Sequence, residues 1–515
     1  MPATVAFVSL GCAKNLVDSE KMLGLLAADG ITPVPESDGA DAIVINTCGF
    51  LEASKEESLE AIRDAVERKN AGQFGRVVVA GCLVQRHRAK ILEWAPGVDA
   101  LLGVFDRDRI VAAVRDGAPT RESSPSDDPH APRYWIAGNA LQAAQARGRD
   151  TVGLTVQGKD GHGIGYFEGD ENRFRLTPRH WAYLRMSEGC NQRCAFCTIP
   201  SIRGKMRSKP PEALLAEARA LLRDGAVELN LIGQDTTSYG MDIGYAPGLA
   251  GILRELDKVI RAEGGRWARL LYAYPTNFTD EMMDAIAALD SVARYIDIPL
   301  QHASDSMLKA MRRGLTGQQQ RQLIERLRQR IPGVTIRTTF ISGFPGETQQ
   351  DHNELLDFVE SCAFEAVGVF KYSREEGTPA GTMELDPTLC VSDEVKAARE
   401  AEIMLLQQSI AFERSQRRAA ANETVDVLID GAAPRATKGR KTTGVAAATT
   451  LHTGRTQGQA PQVDALTYVS SAAAISPGEV VRCRIVEAHG YDLVARPEAE
   501  MQASHPLRVL RAPLG

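Results

Sequence analysis

The chain has 515 residues, 43% of them hydrophobic and 24% charged, with a formal net charge of −6. That length exceeds what one hydrophobic core organises, so roughly two to four domains are expected, and the acidic balance removes any global electrostatic case for nucleic-acid binding. No apolar run approaches the ~20 residues of a membrane span, the start lacks the basic n-region of a signal peptide, and six of the nine cysteines fall in motifs, which points to metal ligation in a reducing cytoplasm.

Residues Thr4–Leu10 read as a buried strand ending in Gly11-Cys12. A helical pattern follows, with Leu16, Met22, Leu23 and Leu26 on one side, and stops near Gly30. The unit recurs. The apolar run Ala42–Thr47 delivers Cys48-Gly49 ahead of a Lys/Glu-rich helix, and Arg76–Ala80 delivers Gly81-Cys82. Alternating strand and helix predicts a doubly wound parallel sheet over residues 1–118. Parallel strands collect their C-terminal loops along one edge, so Cys12, Cys48 and Cys82 are expected there, each beside a glycine that permits close approach. Two readings stand. Three converging thiolates suit an iron–sulfur cluster with an open iron, whereas any one cysteine at a strand end is also a common small buried hydrophobe.

Residues 119–174 break the pattern with a polar, proline-rich run and then a glycine-rich stretch, and read as a linker or mobile insertion. A second α/β unit spans 175–418. It opens on the strand Trp181–Met186, which leads into Ser-Glu-Gly-Cys-Asn-Gln-Arg-Cys-Ala-Phe-Cys at 187–197. Cys190, Cys194 and Cys197 in C-x-x-x-C-x-x-C spacing suit a 4Fe-4S cluster whose fourth iron stays open. A structural zinc loop with its fourth ligand elsewhere is the plainer alternative. Strands are predicted at Glu228–Asp235, Arg269–Pro275, Tyr295–His302, Thr335–Gly343 and Glu365–Phe370, with helices between them, giving a parallel, partial β/α barrel with its site at the C-terminal rim. Gln234, Asp235, Gln301 and His302 end strands on that rim, as structural hydrogen-bonders or as cavity groups. Gly343-Phe-Pro-Gly-Glu-Thr348 is either a plain turn or a loop whose amides meet a ligand. Lys205, Arg207 and Lys209 are a solvated face or a contact surface for an anionic substrate, and Cys362 and Cys390 lack partners at ligand spacing.

After a charged helix near Ser392–Arg418, short β segments at Val425–Ile429, Gly444–Ala448, Ala465–Val469 and Val480–Val486 predict a small antiparallel barrel over 419–497, followed by a tail, 498–515. Arg435, Lys438, Arg440 and Lys441 form a basic run, but the barrel carries enough Asp and Glu to be near neutral.

The C-x-x-x-C-x-x-C loop, with Phe196 before its last cysteine, resembles the cluster loop of the radical S-adenosylmethionine (SAM) enzymes. The segments together resemble the methylthiotransferase family of those enzymes. Ser9–Glu20, Asn46–Phe50 and Gly81–Leu83 are similar to its three N-terminal cysteine motifs, and the likeness covers nearly the whole chain except 119–170 and the tail. The resemblance implies an N-terminal cluster domain, a radical-SAM barrel and a C-terminal TRAM barrel. It carries Cys12, Cys48 and Cys82 over as ligands of an auxiliary 4Fe-4S cluster, and Cys190, Cys194 and Cys197 as ligands of the cluster that binds SAM. Glu228, Gln234, Gln301, Gly343 and Gly346 are the candidate SAM contacts, with no catalytic residue beyond the cluster ligands.

In this family one electron from the SAM cluster breaks the sulfonium bond and gives a 5′-deoxyadenosyl radical. Gly189–Gly204, Gln234–Gly240, Leu271–Pro275, Ile298–Ala303 and Gly454–Asp464 resemble the RimO-type branch, which methylthiolates the β-carbon of one aspartate in small-subunit ribosomal protein number twelve. The other main branch modifies a tRNA adenosine and is the alternative. Gln459 and Gln462 stand where the family usually has acidic residues. The partners so implied are the ribosomal protein, free or in the 30S subunit, an electron donor such as flavodoxin or ferredoxin, and rRNA touched through the TRAM barrel, with no membrane.

Overall fold

The computed structural model describes residues 3–88, 90–115, 135–136 (backbone only), 169–434 and 450–502. Most of the 119–174 insertion, the segment Gly444–Ala448, the basic run Arg435–Lys441 and the end of the tail lie outside the described residues.

The N-terminal unit is a parallel sheet of β1 (Thr4–Ser9), β2 (Thr32–Pro33), β3 (Ala40–Thr47), β4 (Phe74–Gly81), β5 (Ala100–Leu102) and β6 (Trp135–Ile136), in the order β2-β1-β3-β4-β5-β6. The last six residues of β3 are all buried, as expected of a strand covered on both faces. Register sets Ser9 opposite Asn46 and Thr47 opposite Gly81, so β1, β3 and β4 end together and release Cys12, Cys48 and Cys82 from one edge.

The central unit begins with β7 (Trp181–Arg185). A two-stranded antiparallel pair, β8 (Ser187–Glu188) and β9 (Arg207–Ser208), brackets the second cysteine loop. Strands β10 (Glu228–Ile232), β11 (Trp267–Leu270), β12 (Val292–Asp297), β13 (Thr335–Ser342) and β14 (Ala366–Lys371) complete a parallel six-stranded sheet, ordered β14-β13-β12-β11-β10-β7. Its outer face is packed by helices such as Pro211–Arg223 and Gly248–Ala262, whose Leu221, Leu222, Leu253 and Leu256 join the core.

The inner face is covered differently. Trp181, Tyr183, Ala293 and Tyr295 meet Leu16 and Val17 from the helix Ala13–Ala28 and Ala460 from the C-terminal unit. Two other domains thus close the open side of the partial barrel.

The C-terminal unit is a closed barrel of β15 (Thr424–Ala432), β16 (Thr450–Thr456), β17 (Thr467–Ser471), β18 (Val480–His489) and β19 (Asp492–Pro497). Strands β16 and β19 were not expected from the sequence. Residues Glu498–Gln502, assigned to the tail, instead form a short helix, in which Glu498 bonds Arg484 and Glu500 bonds Ser471. Among the described residues no helix is long and apolar enough to cross a membrane.

Candidate functional site

The first cysteine set is assembled by close backbone approach. A Cβ placed on Gly11, whose φ is +90°, would lie 2.8 Å from Cys48 Cβ and 3.2 Å from its Sγ. A Cβ on Gly49 would lie 2.7 Å from Leu83 Cα, next to Cys82. Asn15 ties the three loops together. Its Nδ2 donates to the carbonyls of Leu10 at 2.8 Å and Thr47 at 2.9 Å, while Oδ1 faces Cys82 Sγ at 3.6 Å.

Charge around the set is organised by Arg203, which ends the helix Ile199–Arg203 just after the second cysteine loop. It is buried, and its Nη2 reaches Cys82 Sγ at 3.3 Å, Asn15 Oδ1 at 2.9 Å and Asp18 Oδ2 at 3.0 Å. Its Nη1 donates to Glu188 Oε2 at 2.9 Å. Burial pushes the Cys82 thiol up to about 12 against the pull of Arg203, and ionising Cys12 or Cys48 pushes it further. Burial also raises Cys48. Cys12 keeps exposed surface, and the protein mass around it opposes charge. Lys14 and Arg203 outweigh that and hold its thiol below the ordinary value. Three mutually interacting thiols that resist ionising together are a donor set suited to a multi-iron centre, in which each thiolate is neutralised by its own iron.

The second set, Cys190, Cys194 and Cys197, lies on the β7 side of the rim. Burial pushes Cys190 and Cys197 each up to about 12, and the members of the set oppose one another's ionisation. Arg313, itself buried, donates to Cys194 Sγ at 3.2 Å and stacks over Tyr274, whose hydroxyl lies 3.8 Å from the same sulfur. Gln192 in the loop donates to Asp235 at 2.9 Å, and Asp235 is otherwise held by Thr237 and Ser238, so it is a structural anchor.

Of the other rim positions, Gln234 donates to Glu188 Oε1 at 2.8 Å, and its own Oε1 is buried without a partner among the described residues. Gln301 takes the left-handed region at φ +76° and is held by backbone bonds to Thr339 and Ile341. Burial drives His302 down to about 4, leaving a neutral ring whose Nδ1 accepts from the Ser304 amide.

Three expectations are corrected. Glu228 begins β10, at the end of the sheet away from the rim. It is fully buried and paired with Arg269 at 2.8 Å and with Arg455 of the C-terminal barrel, so both oxygens serve a domain junction. The Gly343–Thr348 turn offers no free amide. Gly343 and Phe344 donate to the Glu347 carboxylate at 2.6 and 3.1 Å, Gly346 to the Leu389 carbonyl, Glu347 to Phe344 and Thr348 to Asp351. It is a self-satisfied turn. Lys209 is no surface residue, being buried against Asp170 at 3.1 Å and Glu217; Lys205 is exposed and Arg207 stacks on Phe105. Asp170, at the end of the presumed insertion, also pairs with Arg185, which reaches Asp18 at 2.6 Å.

Sequence reasoning missed Asn15, Arg203, Tyr274 and Arg313. The first two stand in or beside cysteine motifs and Tyr274 lies in the Leu271–Pro275 segment, which was the available signal; Arg313 carries none.

Comparison with known proteins fits this geometry. Residues 4–103 match Uncharacterized protein family UPF0004, 184–359 the Radical SAM superfamily and 423–497 the TRAM domain. The ribosomal protein uS12 methylthiotransferase RimO of Symbiobacterium thermophilum is 39% identical over 99% of this chain and 92% of its own. Its counterpart from Anaeromyxobacter sp. (strain K) is 40% identical over 98% and 96%. A solved radical SAM methyltransferase, TsrM from Kitasatospora setae, is 16% identical over 74% of this chain and 77% of that one, at a TM-score of 0.48. With full-length identity at that level and both cysteine sets in place, the chain belongs to the RimO family of radical SAM methylthiotransferases.

Proposed function

We propose that this chain adds a methylthio group to the β-carbon of an aspartate in ribosomal protein uS12, using two 4Fe-4S clusters and SAM. One observation carries the reading: Arg203, at the end of the helix that follows one cysteine loop, touches a sulfur of the other set, so the two cysteine sets adjoin across a single side chain. Cys12, Cys48 and Cys82 hold the auxiliary cluster, and Cys190, Cys194 and Cys197 hold the cluster that binds SAM. When bound, SAM and its cluster supply one-electron cleavage, the reactivity that an unactivated C–H bond requires because no side-chain base matches its acidity.

The chain's residues supply position and dryness. The orphan Oε1 of Gln234 can accept from a hydroxyl or amine of SAM, and Gln301 stands on the same rim. The helix Ala13–Ala28 and the segment around Ala460 cover the inner face of the sheet and exclude water from it. A ribosomal substrate places the work in the cytoplasm. A flavodoxin or ferredoxin delivers the electron, and the TRAM barrel meets rRNA when the substrate lies in the 30S subunit.

The test is an anaerobic reaction of the reconstituted protein with SAM, sulfide and a strong reductant, with 30S subunits and tRNA in one tube. Mass spectrometry should find the methylthio group on uS12. A modified adenosine and an unmodified uS12 would overturn the reading.

A further inference from the structure

Lys14 is an unusual cation. It is the second residue of the helix Ala13–Ala28 and only 7% exposed, and its Nζ sits over the Tyr272 ring, 3.2 Å from the centroid. Among the described residues its ammonium makes no hydrogen bond and has no carboxylate within 4 Å. The strongest negative charge it feels is the Cys12 thiolate, a sulfur that the auxiliary cluster would claim, and the two carboxylates that feel it are committed elsewhere. Glu188 is shared by Arg185 and Arg203 at 2.9 Å each, while Asp297 accepts from Arg337 at 2.9 Å and from the Tyr272 amide at 3.1 Å.

Its surroundings oppose a positive charge. The helix begins at Cys12 with no side-chain cap and no acid in its first turn, so the positive end of the helix dipole points at the lysine. Arg203 adds a second repulsion. A largely buried ammonium with no hydrogen bond and no carboxylate of its own is costly, and such local conflict marks functional positions. The platform beneath it is also constrained. Tyr272 has φ +61°, held by the Asp297 bond and by the Thr236 amide donating to its carbonyl at 3.1 Å.

Position supplies the meaning. Tyr272 follows the end of β11 on the barrel rim, and Lys14 stands next but one to Cys12, so the ammonium lies where the auxiliary thiols meet that rim. We propose that Lys14 receives the side-chain carboxylate of the substrate aspartate. This rests on the methylthiotransferase reading. The carboxylate is bonded directly to the β-carbon, so gripping it fixes the reacting carbon within one bond of the recognised group. A charge-assisted contact also separates aspartate from asparagine, which has the same shape and no charge.

A double-mutant cycle tests this. Affinity for recombinant uS12 is measured with the target residue as aspartate or as asparagine, for wild type, Lys14→Gln and Lys14→Arg at matched iron and sulfide content. Wild type should prefer aspartate about tenfold or more. The preference should shrink to within about twofold in Lys14→Gln and be partly restored in Lys14→Arg. An undiminished preference in Lys14→Gln would overturn the proposal. So would loss of auxiliary-cluster iron from Lys14→Arg as well as Lys14→Gln, which would make the lysine a structural neighbour of Cys12. If wild type leaves uS12 unmodified, the reading of the substrate fails first and takes the lysine's role with it. If wild type modifies uS12 and Lys14→Gln still discriminates, only the lysine's role fails.

Discussion

Arg203 Nη2 lies 3.3 Å from Cys82 Sγ, a contact between the radical-SAM unit and a thiol of the N-terminal domain. Hydrogen bonds and positive charge at a ligand sulfur raise the potential of an iron–sulfur centre. Arg203→Gln should therefore lower the reduction potential of the auxiliary cluster, followed by EPR-monitored titration. Methylthiolation should fall roughly 10- to 100-fold while some SAM cleavage persists. The change also breaks a buried ionic network, so a stability loss of about 3–5 kcal/mol is expected from denaturant unfolding.

Gly11→Ala should remove one cluster selectively. The new methyl would overlap Cys48, and the +90° φ disfavours any side chain. Iron and sulfide analysis should show roughly half the wild-type content, with the spectrum of the SAM cluster retained. Full iron content in this variant would contradict the convergence of the three thiols.

Glu228→Gln separates a structural role from a SAM contact. With Arg269 and Arg455 left short of a buried counter-charge, stability should drop by about 3–5 kcal/mol, with earlier proteolysis near the C-terminal barrel. SAM affinity, measured by equilibrium dialysis, should be unchanged.

His302 gives a pH dependence with a definite sign. Burial lowers its folded value to about 4, below the ordinary 6.5. The unfolded chain therefore takes up the proton first as pH falls. The stabilising difference is complete above about 6.5, shrinks through the interval and is lost below about 4, a swing of about 3 kcal/mol. His302→Gln should flatten that part of the acid limb in thermal melts recorded from pH 7 to 4, relative to wild type.

Much of this architecture was readable in advance because buried parallel strands leave continuous apolar runs. Ala42–Thr47 and Arg76–Ala80 announced β3 and β4, and the shared edge of a parallel sheet then brought Cys12, Cys48 and Cys82 together. The long side chains were not readable. Periodicity says nothing about an Arg203 that reaches into another domain, or about which end of a strand carries Glu228 once the domains dock. The Gly343–Thr348 turn misled because glycine spacing does not reveal that Glu347 satisfies the amides. Strand β16 was overlooked because Thr450–Thr456 is polar and earns its place by pairing with β15 and β17. Gln459 and Gln462, unusual against the family pattern, have local tasks: Gln459 accepts from the Thr456 amide and from Thr467, and Gln462 accepts from the Tyr183 hydroxyl.

The Ala460 segment on the inner face of the sheet limits how freely these parts can be exchanged between relatives. Asp464 holds Tyr295 at 2.7 Å, and Arg269 binds the Gln457 carbonyl, so a grafted C-terminal barrel would bring the wrong plug to a foreign socket. A working hybrid must move Tyr183, Glu228, Arg269 and Tyr295 together with the barrel. Inheritance in such chains should then follow the shared interior rather than the apparent domain boundaries.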